Sequence, residues 1–195
     1  MAAPFELPEA LRTFLTITEI DDANLLVGEL FKRKFGDPPP DVGHHLVALY
    51  RQADGALRVA GYSHMRAFGD VYLSGGSCSN GDTMRAMDPA HRDAIVAHGG
   101  VWYLILKYAF AKYHDDCDAF FGHCGDRRAL EVAHAAGFID CEQKPLIVLW
   151  HKELHPLVRR LEDRAVPHRV VGRQARQRRH LLAELLQQGV DLQEV

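Results

Sequence analysis

Two adjacent glycines, Gly99 and Gly100, directly precede the most apolar stretch of the chain, residues 101–114. A stretch that is apolar nearly all round predicts a helix buried on most of its surface. The first turn of a helix presents unpaired backbone N–H groups at the positive end of the helix dipole, and these groups can bind a phosphate. Glycine there would let the ligand approach the backbone closely. A tight turn without a ligand explains the same pair equally well.

Hydrophobic periodicity and turn residues predict the elements that must hold this junction. Asp126 is expected to cap a helix and Gly137 to end it in the left-handed conformation. The predicted order is a helix at 25–35, strands at 45–52, 57–68 and 71–78, the buried helix at 101–114, a strand at 118–124, a helix at 127–136, and a hairpin at 138–141 and 146–151. This order predicts the α+β class, with a mixed, mostly antiparallel sheet and helices on both faces.

The composition is that of a globular protein. The chain has 195 residues, of which 47% are hydrophobic and 25% charged, so a disordered chain and a disulfide-stapled miniprotein are excluded. A formal net charge of −3 argues against general binding of polyanions. No apolar run approaches the roughly 20 residues that cross a bilayer. The first residues do not resemble a secretion signal. We therefore expect a cytoplasmic protein with no membrane partner.

Four cysteines are present, and none stands in a C-x-x-C pair. We expect them to stay reduced in the cytoplasm and to bind no metal. A zinc site could be drawn from His114 with Cys117 and from His123 with Cys124, but the paired spacing of structural zinc sites is missing.

The segment 156–195 differs in composition from the rest and predicts a basic helical C-terminal extension. It holds eight arginines and five acidic residues, whereas residues 1–155 are net acidic. The extension is expected to form two helices, the second of which carries leucines on one side. These leucines would pack on residues 1–155 or on a second subunit, which is compatible with a homodimer. An arm that binds nucleic acid is the alternative, and the packing interpretation is favoured.

Three features together resemble the GNAT superfamily of acyl-coenzyme A-dependent N-acetyltransferases. They are the strand, glycine loop and helix from Val71 to His114, the segment from Asp126 to Ala129 followed by Ala136-Gly137-Phe138, and the closing hairpin that ends in LIVLWH. The similarity covers about residues 14–152. It implies that residues 1–155 form a GNAT-like domain, with acetyl-coenzyme A as co-substrate and an amine of a small molecule or protein as acceptor.

The phosphate loop of this family can be placed in two registers. Pro89 and Arg92 resemble its lead-in, so that residues 92–97 would form the loop, with Ile95 in place of the central glycine. In the alternative register His98, Gly99 and Gly100 form the working turn before Val101, and residues 83–97 are an insertion. We favour the second register because Val101 begins the clearest helical stretch.

The resemblance also implies where catalysis would occur. Strands 71–78 and 118–124 would splay apart around the thioester, and a backbone N–H near Ser77, Cys78 or Ser79 would stabilise the developing oxyanion. An amine acceptor is protonated at neutral pH, so a base is required. The candidate bases are His64, Asp82 and His123, each of which could instead be an ordinary structural residue.

Two positions near the last long helix differ from the family pattern. Arg127 stands in the first turn, where it opposes the helix dipole. Contact with the 3′-phosphate of the coenzyme would explain it, and so would a solvated side chain. Relatives often carry a tyrosine that protonates the leaving thiolate, and this chain has Ala133 there.

The leading hypothesis from the sequence is an acetyl-coenzyme A-dependent N-acyltransferase. Two alternatives remain. The first is a catalytically degenerate module that keeps the fold, and the second is a nucleic-acid binder that uses the arginine-rich tail.

Overall fold

The computed structural model describes residues 5–142 and 145–152. The extension predicted for residues 156–195 lies outside this range, and so do its proposed leucine stripe and arginine arm. A short 3₁₀ turn at Glu9–Leu11 is followed by seven strands and five helices among the described residues. These are β1 Leu15–Ile20, α1 Ala23–Phe35, β2 His44–Arg51, β3 Leu57–Phe68, β4 Val71–Ser79, α2 Gly81–Ala86, α3 Pro89–Ala97, α4 Val101–Lys112, β5 Ala119–His123, α5 Arg127–Ala136, β6 Ile139–Asp140 and β7 Leu146–Trp150.

The seven strands form one sheet in the order β1-β2-β3-β4-β5-β7-β6. The pair β4 and β5 is parallel, and the other neighbouring pairs are antiparallel. Helix α1 packs on one face with Val47, Tyr62 and Cys78. Helices α3, α4 and α5 contribute to the larger core on the other face. The expected mixed α+β sheet with helices on both faces is therefore confirmed.

Helix α1 has signals for both its ends in the local sequence. Asp22 accepts a hydrogen bond from the backbone N–H of Asn24 and caps the start, and Gly36 ends the helix with a φ of 86°. Ala23, Val27 and Phe31 are buried and recur every four residues, which places them on one side of the helix. This side packs on the sheet and leaves the opposite side to solvent.

Helix α4 crosses the other face of the sheet. Leu104, Ile105, Leu106 and Ala109 are almost fully buried, as predicted for a stretch that is apolar nearly all round. A Cβ on Gly61 of β3 would lie only 2.5 Å from a methyl group of Val101. The missing side chain at position 61 therefore lets the first turn of α4 approach the sheet closely.

Strand β1 and helix α3 were not predicted from the sequence. Strand β1 is an edge strand with Leu15 and Ile17 buried and Thr16 exposed, and this alternation is too short to stand out. Helix α3 begins with Pro89 at its first position, and Asp88 caps it through the N–H groups of Ala90 and His91. Residues 92–97 lie inside this helix, so the first register of the phosphate loop is not a loop at all.

Among the described residues, no single helix is both long enough and apolar enough to cross a bilayer. The bent pair α3 and α4 would meet both criteria only when taken together.

Candidate active site

A gap opens between the two central parallel strands. The register of β4 with β5 runs from Val71 opposite Ala119 to Leu73 opposite Phe121, whereas β4 continues to Ser79. Gly75 and Ser79 are exposed although β4 is the fourth of seven strands. A central strand with exposed residues indicates that its neighbour has diverged, as the family resemblance implied.

Backbone groups of β4 are directed into this gap. The N–H of Asn80 donates to the carbonyl of Ala60 in β3, with 2.9 Å between nitrogen and oxygen. Successive N–H groups of a strand point to opposite sides, so those of Ser77 and Ser79 point away from β3 and toward the gap. These two amides have the direction that an extended ligand or a developing oxyanion would need.

A β-bulge lies at the point where the gap begins. Ser63 pairs with Ser77 and Met65 pairs with Ser74, so Gly75 and Gly76 together stand opposite the single residue His64. A Cβ on Gly75 would lie 2.6 Å from Nδ1 of His64, and one on Gly76 would lie 2.7 Å from the ring of Phe31. The sequence signal for this bulge was a glycine pair inside a strand. The bulge was not predicted from the sequence.

His64 is buried behind the bulge and fixed in one tautomer. Its Nε2 lies 2.6 Å from the carbonyl oxygen of Val42. A carbonyl can only accept, so Nε2 carries the proton and Nδ1 presents a lone pair next to Gly75. Burial lowers the pKa of the imidazole, which is therefore neutral at pH 7. A neutral, oriented imidazole is suited to accept a proton.

The other two candidate bases lie elsewhere. Asp82 is in the first turn of α2, where it pairs with Arg33 at 3.2 Å and with Arg85, so its charge is already matched. His123 is the exposed last residue of β5. Of the three candidates, the structure brings His64 into contact with the bulge, and it places the other two on separate elements.

Cys78 lies on β4 but faces away from solvent. It packs beneath α1 beside Tyr62, and burial raises the pKa of its thiol to about 11. The thiol is therefore protonated at neutral pH and unsuited to act as a nucleophile. Its neighbour Ser77 shares a hydrogen bond with Ser63, with 2.7 Å between the two hydroxyl oxygens.

The two glycines before α4 have different roles. Both have a φ of 91°, which favours glycine. A Cβ on Gly99 would meet the ring of Tyr103 at 2.6 Å, whereas Gly100 faces open space. His98 is held at the end of α3, where its Nδ1 donates to the carbonyl of Ala94 at 2.8 Å.

The first turn of α4 is uncapped. Within the described part of the chain, no side chain accepts a hydrogen bond from the N–H groups that follow Gly100. Val101 contacts Gly61, and Gly61 pairs with Ser79, so this helix start lies at the end of β4, beyond the residues that pair with β5. The geometry offers free amides and open space for an anion at the mouth of the gap.

Helix α5 also begins near the end of β5. Asp126 accepts from the N–H of Ala129 at 2.8 Å, which is the cap expected from the sequence. Arg127 donates to Glu131 at 3.0 Å, and its side chain is 92% exposed. An exposed pair of this kind contributes little stability, so Arg127 could exchange Glu131 for another anion. Ala133 is fully buried in the core and offers no proton donor.

The described cysteines and histidines form no metal site. Within residues 5–142 and 145–152, no group of three His, Cys, Asp or Glu side chains is placed to hold a metal ion. All four cysteines are buried and none is in a disulfide.

No protein-family model matches the chain, and no curated protein matches it. Several solved structures are similar to it in fold. The ribosomal-protein-S18-alanine N-acetyltransferase of Escherichia coli is 10% identical, with 73% of this chain and 97% of that chain covered and a TM-score of 0.44.

Two further structures show the same kind of likeness. A GNAT-family acetyltransferase of Staphylococcus aureus is 8% identical, with 71% of this chain and 99% of that chain covered and a TM-score of 0.38. AtaT complexed with acetyl-methionyl-tRNAfMet is 14% identical, with 70% and 94% covered and a TM-score of 0.39. Each of these three likenesses concerns the fold alone and has a TM-score below 0.5.

Proposed function

We propose that this protein is an N-acyltransferase that moves an acetyl group from acetyl-coenzyme A to an amine. The observation that carries the proposal is the gap between β4 and β5, into which the amides of Ser77 and Ser79 point. The bulge with His64 stands where the gap begins, and the uncapped start of α4 stands at its mouth.

The residues present fit acetyl-coenzyme A. The amides of the first turn of α4, reached past Gly100, would hold the pyrophosphate, and the free edge of β4 would pair with the pantetheine arm. Arg127, which is exposed in the first turn of α5, would meet the 3′-phosphate. The thioester supplies the acyl group, and the chain supplies orientation.

Groups of the protein itself would stabilise the charge on the thioester carbonyl oxygen and remove the proton of the amine. The amide of Ser77 or of Ser79 would stabilise the negative charge that develops on the carbonyl oxygen. Nδ1 of His64 would take the proton of the amine, directly or through a water, since its lone pair faces the bulge. Ala133 provides no acid, but a thiolate whose conjugate acid has a pKa of about 8.5 can leave unaided.

Calorimetry with acetyl-coenzyme A, followed by thiol release on addition of amines, tests the proposal. We expect acetyl-pantetheine, which lacks the pyrophosphate, to bind at least tenfold more weakly than acetyl-coenzyme A. Absence of heat at high ligand concentration would refute the proposal. Binding without thiol release from any amine would favour the alternative, a binding module that has lost catalysis.

Three variants separate the candidate bases. We expect His64→Gln to lower kcat by roughly 10²- to 10⁴-fold, because general base catalysis contributes on this scale. Asp82→Asn and His123→Gln should stay within about fivefold of the wild type, since Asp82 is ion-paired with Arg33 and His123 is exposed at the end of β5. A larger loss for His123→Gln than for His64→Gln would assign the proton transfer to β5.

A further inference from the structure

The side of the sheet on which His64 lies determines how an acceptor can reach it. The rings of Tyr62 and His64 both adjoin the ring of His45, with centroid distances of 6.1 and 5.5 Å. Tyr62 packs with helix α1, so His64 lies on the α1 face of the sheet. Helix α4 packs on the opposite face, and its first turn and the free edge of β4 are already assigned to acetyl-coenzyme A. The α1 face is therefore the side from which an acceptor can approach His64.

The ring nitrogen that would accept the proton is open to solvent. Within the described ranges, the unpartnered polar side-chain atoms that are sealed from solvent belong to Trp102, Tyr113 and His151. Nδ1 of His64 is not one of them, although the residue as a whole is only 5% exposed. Gly75, which lies next to this nitrogen, is exposed. A small amine can therefore reach Nδ1, whereas the group that carries the amine stays outside the bulge.

Two exposed apolar side chains adjoin this place. Phe35, the last residue of α1, is 42% exposed, and its ring lies 3.5 Å from the position of a Cβ on Gly76. It packs on the ring of Phe31, with centroids 4.4 Å apart, so it is held in place while part of its surface stays in water. Val42, whose carbonyl fixes His64, is 54% exposed. Single exposed apolar residues are common, but these two belong to residues that contact the bulge or its imidazole.

The charged residues of this segment do not favour an acceptor with several ammonium groups. Lys32, Arg33 and Lys34 stand in the last turn of α1, and Asp37 and Asp41 follow in the loop before β2. Acidic residues are therefore not in excess over basic ones, and a second ammonium group would find no surplus of negative charge here. What remains to select an acceptor is the exposed apolar surface described above.

We propose that the acceptor is a monoamine whose nitrogen is carried on an apolar group, and that Phe35 and Val42 select this group. The inference rests on the proposed acyl transfer and names its acceptor class. The apolar group would pack on the exposed ring of Phe35, which removes apolar surface of both from water. The amine nitrogen then bonds to the acetyl carbon, the bond from this carbon to sulfur breaks, Nδ1 of His64 takes one proton of the amine, and coenzyme A leaves as the thiolate.

The rate of thiol release with three amines tests the acceptor class. Isopentylamine is the apolar probe, propanolamine ends in a hydroxyl group, and putrescine carries a second ammonium group. We expect kcat/KM, expressed per free amine, to be at least tenfold higher for isopentylamine than for either of the others, because one methylene group in an apolar pocket already changes kcat/KM by roughly 10- to 200-fold. Equal values, or a higher value for propanolamine or putrescine, would overturn the acceptor class.

Variants test the two residues that would select the apolar group. Phe35→Ser should lower the ratio of kcat/KM between isopentylamine and propanolamine to below threefold, and Val42→Ser should lower it at least twofold. Phe35→Leu, which keeps an apolar side chain, should hold the ratio above fivefold. The matched control is Ile139→Ser, whose residue is 58% exposed in β6 and which should leave the ratio within twofold of the wild type. An unchanged ratio in Phe35→Ser would overturn the role of Phe35.

The contact also has a readout that does not depend on catalysis. In saturation-transfer NMR of the full-length protein with coenzyme A, the methyl protons of isopentylamine should receive more saturation than the methylene protons next to nitrogen, and Phe35→Ser should remove this difference. Equal saturation of both groups in the wild type would overturn the apolar contact. Absence of thiol release with all three amines would instead refute the proposed function and the acceptor role with it, whereas saturation that depends on Phe35 would still uphold the amine site.

Discussion

Substitution of Gly75 by alanine tests the contact on which the proposed proton transfer depends. The new Cβ would lie 2.6 Å from Nδ1 of His64, whereas ordinary contacts are 3.4–4 Å. The ring would have to retreat by about 1 Å. It is held on its other side by the hydrogen bond from Nε2 to Val42, and Nε2 would lie 2.5 Å from a Cβ on Gly43. Overpacking of this kind costs about 1–3 kcal/mol.

A double-mutant cycle isolates this cost from the other effects of the substitution. In a His64→Ala background the ring is gone, so Gly75→Ala should change the free energy of unfolding by less than about 0.5 kcal/mol. The coupling energy between positions 64 and 75 should then be about 1–3 kcal/mol. Urea unfolding of the four proteins, followed by circular dichroism, measures it.

Gly125→Ala is the matched control, because Gly125 faces open space and its φ is not positive. It should leave the free energy of unfolding within about 0.5 kcal/mol of the wild type, or raise it slightly. A coupling energy below about 0.3 kcal/mol would show that His64 does not fill the space beside Gly75. The assignment of the base would then lose its geometric support.

Two further predictions concern titration. Cys78, with a thiol pKa of about 11, should resist iodoacetamide in the native protein at pH 8 and react after unfolding. Mass spectrometry measures the labelling of this cysteine. Rapid labelling of Cys78 in the native protein would contradict its burial. Burial lowers the pKa of His45, His64 and His151, the last to about 4, so the unfolded chain takes up more protons below about pH 6.5. The free energy of unfolding should therefore be nearly constant above about pH 7 and decrease as pH falls from 7 to 5. A constant value in urea titrations between pH 7 and pH 5 would refute that reasoning.

Elements with local signals were predictable from the sequence. Helix α5 has a cap at Asp126, a glycine at position 137 and a repeating apolar side, and both its bounds agree with the prediction. Strand β3, at residues 57–68, is also as predicted, because a turn residue stands at each end and β-branched and aromatic residues lie between. An element whose start, end and apolar side are all encoded within about ten residues can be predicted without the rest of the fold.

Features that depend on distant residues were not predictable. Strand β1 is defined by its pairing with β2, some 25 to 35 residues further along the chain. The tautomer of His64 depends on the carbonyl of Val42, which a loop 22 residues away brings within hydrogen-bonding distance. Asp82 was a reasonable candidate base by residue type, and only the approach of Arg33 from α1 shows that its charge is already paired.

The two glycine pairs of the chain show why a motif alone does not define a site. Gly99 and Gly100 precede a helix, and a Cβ on Gly99 would meet Tyr103 whereas Gly100 faces open space. Gly75 and Gly76 lie in a strand, where glycine loses more conformational entropy on folding than other residues and has no side chain to pack against its neighbours. Side chains there would collide with His64 and Phe31, so the second pair is required by packing on the α1 side of β4. The same bulge leaves Gly75 exposed where β5 diverges. The glycine pair therefore lets the imidazole of His64 pack against β4 at the residue where the strand becomes exposed.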